Sequence, residues 1–107
     1  AEGNGLATAA LLEMRARFEF EEGRREAALA LLRKARERRA PALAQASANL
    51  YEHLFEQGLN LARALEWGDG EAGLRKQLGE VVGRWPGYGL SPRLEAVRAA
   101  AKKMTVK

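Results

Sequence analysis

GRREAALALLRKARERRAP, residues 23–41, opens on a glycine, closes on a proline and holds seven Arg or Lys between them. Ala28, Leu31, Leu32 and Ala35 recur at three- and four-residue intervals, the spacing of one helical face. The stretch therefore predicts a helix from Arg24 to Ala40, broken before it by Gly23 and stopped by Pro41. Its basic residues fall on the outward face and bunch toward the C-terminus, where they complement the helix dipole.

The same punctuation returns 45 residues later, in GDGEAGLRKQLGEVVGRWP, residues 68–86. Placing Gly23 on Gly68 aligns Glu26 with Glu71, Ala27 with Ala72, Leu29 with Leu74, Arg39 with Arg84 and Pro41 with Pro86, and sets Ala28 opposite Gly73. In each copy a longer helix is expected to end at the glycine and a shorter one to run on to the proline, which is a helical hairpin used twice. The long helices are read from residues 6–22 and 43–67. The first carries two adjacent apolar stripes, Ala7, Leu11, Met14, Phe18 and Ala9, Leu12, Ala16, Phe20, so it is expected to pack on two neighbours. The second carries Leu43, Ser47, Leu50, Leu54, Gly58, Leu61 and Leu65, and Gly58 marks a close approach by another helix. Residues 67–70, WGDG, read as a turn and residues 85–89, WPGYG, as a loop. A weaker helix is expected over 71–85. Ser91 is an N-cap with Pro92 at the first helical position, launching a last helix with Leu94, Val97, Ala101 and Met104 inward and Arg93, Arg98, Lys102 and Lys103 outward.

Glycine, Glu-Ala-Ala-Leu, a small residue and proline in the first copy, echoed in the second, resemble the latter half of a tetratricopeptide repeat. The period of 45 is longer than the family's roughly 34 residues, and the long helices lack its Trp, Leu-Gly and Tyr positions. The resemblance implies an all-α fold, a right-handed stack of two antiparallel hairpins plus a C-terminal capping helix. It would form one domain over residues 6–104. The first five residues, AEGNG, start without Met and are read as a flexible tail at a processed or excised end. The implied role is non-enzymatic: binding a peptide, helix or partner subunit, as adaptors, chaperones and assembly factors do. The groove would be lined by exposed positions of the long helices, with Glu13, Arg17, Asn60 and Arg63 as candidates and Phe20 and Phe55 as apolar anchors. Uncovered ends of such a stack also admit self-association.

Composition supports helices. With 47% hydrophobic and 30% charged residues, no Ile and only two Thr, the chain suits helix far better than sheet. No cysteine is present, which excludes disulfides and thiolate chemistry and leaves the compartment open. No apolar run approaches the roughly 18 residues of a membrane span. His53 is the only histidine, without a nucleophile nearby in sequence, and Glu13, Glu19, Glu21 and Glu22 lack the Glu-x-x-His pattern of di-metal bundles. No cofactor, metal site or catalytic group is expected.

The net charge of +4 sits in one place, because Arg33, Lys34, Arg36, Arg38 and Arg39 with Glu37 account for all of it. Three readings of this basic patch stand open: a solvated helix end, a dock for an acidic partner, or a contact with nucleic-acid phosphates. The last would make the chain a small basic nucleic-acid-binding protein. Trp85 and Tyr88, beside Pro86 and among glycines, are expected to be partly exposed and able to anchor a partner.

Overall fold

The computed structural model describes residues 4–44 and 50–105, and every regular element among them is helical. The order is α1 (Asn4–Glu21), α2 (Arg25–Leu43), α3 (Leu50–Glu66), α4 (Leu74–Gly83) and α5 (Pro92–Thr105). The chain divides into two compact units, residues 1–46 and 47–107. Asn4 and Gly5, expected in the tail, are the first residues of α1, and Ser47 lies outside the described residues.

Unit 1 is the hairpin of α1 and α2. Gly23, at φ 83°, reverses the chain, and its N–H bonds to the Phe20 carbonyl while Arg24 N–H reaches back to Glu19. This pair of bonds is the Schellman cap, which satisfies carbonyls a helix end would otherwise leave open. The Arg24 guanidinium also pairs with the Glu19 carboxylate. Ala9, Leu12 and Ala35 form the core with Leu31 packed against it, so small residues set the two helices close together. Only the Ala9, Leu12, Ala16 stripe of α1 is buried. Leu11, Met14 and Phe18 are exposed, contrary to the expectation of two neighbours.

Two further expectations for α2 are corrected. Pro41 lies inside its last turn, and the helix runs on to Leu43, which also removes Leu43 from α3. A proline so near the end forfeits one backbone bond without forcing the chain out of helix before it. Arg36 and Arg39 are buried, not outward. The hairpin is narrow enough at this level that the long stems of both fall within the α1–α2 contact, and Arg39 is held there by a carboxylate.

Unit 2 contains α3, α4 and α5. The α3 end repeats the first cap with the same offset: Gly68, at φ 89°, donates to Leu65, and Asp69 N–H to Ala64. From there the copies diverge. The Asp69 carboxylate accepts the Glu71 N–H at 2.9 Å, a local turn that competes with helix, and Gly73 takes φ 88°. The helix expected from Glu71 starts only at Leu74 and ends at Gly83. Leu54, Leu61, Ala64, Leu74, Leu78, Val82 and Trp85 are buried, and Ala101 of α5 joins them as a buried residue. Ser91 caps α5 as expected, its hydroxyl accepting the Leu94 N–H at 3.3 Å.

Gly58 admits a close neighbour, and that neighbour is the Trp85 side chain. A Cβ built at Gly58 would stand 2.4 Å from Trp85 Cζ2. With no side chain in the way, the indole lies on the helix and its Nε1–H donates to the Leu54 carbonyl at 3.1 Å. Phe55 meets the same indole edge-on at 5.3 Å and stacks on Tyr51 at 6.5 Å. Trp85 is therefore a core residue, not an exposed anchor; of the loop pair only Tyr88 is exposed.

Candidate binding groove

The six residues expected to line one groove divide between the two units. In unit 1, Glu13 is taken up by Arg39: the guanidinium donates from both terminal nitrogens to the two carboxylate oxygens, at 2.8 and 2.7 Å, with the Arg39 side chain 3% exposed. This two-point geometry fixes both side chains and leaves neither as a surface group. Arg17 is exposed and Phe20 half-buried on the same helix. In unit 2, Phe55 belongs to the aromatic cluster around Trp85 and Asn60 is buried, because position 60 lies on the core side of α3 with Leu61 and Ala64. Arg63 alone lines the principal cavity; its guanidinium carbon stands 5.8 Å from the centre of the Trp67 ring.

The basic patch is also broken up. Arg33, Lys34 and Arg38 are exposed, whereas Arg36 and Arg39 are buried. Helical spacing explains the split: positions 32, 35, 36 and 39 share the inner face of α2, so a run of neighbouring cations is distributed around the helix.

The principal cavity is an open groove of ≈ 1040 Å³ within unit 2. One wall is α3, through Leu59, Ala62, Arg63 and Glu66; the opposite wall is α5, through Arg93, Ala96, Val97 and Ala100. The turn 68–73 and the start of α4 close one end, contributing Leu74, Arg75 and Lys76. Each wall uses positions three or four apart, so each presents a single helical face. Leu59, Ala62 and Val97 are half-buried and Ala96 and Ala100 exposed, giving an apolar floor of small residues. Arg75, Lys76 and Arg93 are exposed around it, and among the described residues none of the three forms an ion pair. The neighbouring Arg98 differs in being paired with Glu95.

The arrangement suits recognition of an apolar helix face with acidic flanks, since alanines let a backbone approach and the cations are placed above the floor. Sequence reasoning had Arg93 on an outward face and read residues 67–70 as a turn, but the groove depends on α4 starting late. The signal that bears on it is Gly73, whose missing side chain permits the left-handed conformation before α4. Comparison with protein-family models, with curated proteins and with solved structures finds no match.

Proposed function

We propose that the protein is a non-enzymatic interaction module whose unit 2 groove receives an acidic amphipathic helix from a partner protein. The observation that carries this is the coincidence, in one groove, of an alanine-rich apolar floor with three cations that have no ion-pair partner. A helix laid between α3 and α5 would place its apolar residues over Ala62, Ala96, Val97 and Ala100. The face from Arg93 to Ala100 is about 10 Å long, so roughly two turns of the incoming helix would be read. Glu or Asp on its flanks would meet Arg75, Lys76 and Arg93, which favours fast, salt-sensitive association.

Three fluorescent amphipathic peptides with the same apolar face and with Glu, Gln or Lys flanks test the idea by anisotropy. The Glu peptide should bind the full chain at least about tenfold tighter than the Lys peptide, and the gap should shrink with added salt. The double variant Arg75→Glu with Arg93→Glu should reverse the preference. Equal binding of all three peptides, or a preference that the variant leaves unchanged, would sink the proposal.

A further inference from the structure

The exposed stripe of α1 lies in unit 1, away from the residues of the proposed groove, and it is the largest apolar feature there that the hairpin leaves uncovered. Leu11, Met14 and Phe18 are 60, 56 and 66% exposed, more than solvent-facing helix positions need from side chains this large. With Ala7 they follow intervals of four, three and four residues, the alternation of a seam between two helices packed along their length. A shallow groove bounded by Met14, Arg17, Phe18 and Glu21 runs beside them.

We infer that this stripe is a self-association face, on which α1 of a second copy packs antiparallel about a two-fold axis. The register follows from the seam. Setting Leu11 opposite Met14 of the second copy puts Phe18 opposite Ala7 of that copy, so the largest side chain meets the smallest at each end and similar volumes meet at the centre. The flanks agree: Arg15 falls opposite Thr8 and Arg17 opposite Ala10, so no like charges are opposed. Glu21, the last residue of α1, falls opposite position 4, the first residue of the facing helix, where the helix dipole is positive. The two-fold axis repeats that pairing at the other end. A parallel pair would instead set Glu21 against its own copy. The charge pattern and the volumes therefore select a second copy in one orientation, joining two hairpins into a four-helix arrangement.

The contact is small beside the roughly 800 Å² per partner of a standard interface, so the dimer is concentration-dependent, with a Kd of roughly 1–100 µM. Sedimentation equilibrium of the full chain over that range should show monomer passing to dimer. Phe18→Glu with Leu11→Glu should hold the chain monomeric at about tenfold higher concentration, with unchanged helicity because both positions are exposed in the hairpin. The cysteine-free sequence allows the register to be read directly. A mixture of Phe18→Cys and Ala7→Cys chains should form the mixed disulfide. Phe18→Cys alone should not cross-link, because the two copies of position 18 lie about 16 Å apart along the axis, beyond the ~7 Å a disulfide spans. A chain that stays monomeric to about 1 mM, or a dimer indifferent to the Glu substitutions, would overturn the self-association. Efficient cross-linking of Phe18→Cys alone would overturn the antiparallel register.

Discussion

In the first hairpin α2 takes up its helix at Arg25, directly after the Gly23 cap, whereas in the second α4 waits until Leu74 although Gly68 carries the same cap at the same offset. The hairpins also close differently. At position 13 of α1 a glutamate meets the buried guanidinium of Arg39; 45 residues on, at Gly58 of α3, the indole of Trp85 lies on bare backbone. An equivalent site on the two long helices is thus served once by a charge pair and once by an aromatic side chain. The difference teaches that a repeated cap specifies where a helix ends, while the next few side chains decide when the following one starts and what clamps it.

The clamps give the largest expected effects. Trp85→Ala removes an indole buried against Leu54, Phe55 and Gly58 and should destabilise unit 2 by about 3–5 kcal/mol. Hydrogen exchange should show the loss of protection in α3 to α5. Gly58→Ala attacks the same contact from the other side, and the overlap of its Cβ with the ring should cost about 1–3 kcal/mol. Retention of full stability in both variants would mean that the indole does not hold the helices together.

Next comes the ion pair of unit 1. Glu13→Gln leaves the Arg39 guanidinium buried beside a neutral amide, at a cost of about 3 kcal/mol in protection of α1 and α2. Replacing both partners, Glu13→Leu with Arg39→Leu, should recover much of that loss, because a buried pair contributes little beyond what packed apolar groups supply. If the double variant is as unstable as the single, the pair itself is a main support of the hairpin and the two clamps are closer in kind than their chemistry suggests.

The all-helical class was legible in the sequence because it rests on period and composition, which act locally. Both glycine turns and the Ser91 cap were legible for the same reason: a left-handed φ or a capping hydroxyl is a property of one residue and its near neighbours. The right-handed stack is a different matter, since it depends on how hairpins face one another and no short motif encodes that. Arg36, Arg39 and Asn60 were misplaced because a polar residue on a helix is read as outward by default, and only a partner 26 residues away, Glu13, makes the inward rotation of Arg39 favourable. The groove was missed for a related reason. It exists because α4 starts a turn late, and three residues decide that together.

Those three, Asp69, Gly70 and Gly73, stand where the first hairpin has Arg24, Arg25 and Ala28, and they supply the smallest and most informative test. Asp69 diverts the Glu71 N–H into a side-chain turn, Gly70 adds backbone freedom, and Gly73 at φ 88° reverses the chain before α4. Gly73→Ala alone should cost about 1–2 kcal/mol, because a Cβ is disfavoured at that φ even though only Gln77 Nε2 lies near it, at 3.9 Å. Changing all three to the residues of the first hairpin removes the competing turn and the need for left-handed backbone. The triple variant should then extend α4 toward its N-terminus by about one turn, visible as added helicity in circular dichroism and as new protection at residues 70–73. It should also weaken acidic-peptide binding, since Arg75 and Lys76 would stay on α4 while the turn that closes the groove becomes helix. Added helicity with unchanged binding would separate the late start of α4 from the groove; no added helicity would mean that packing in unit 2, not these three side chains, sets where α4 begins.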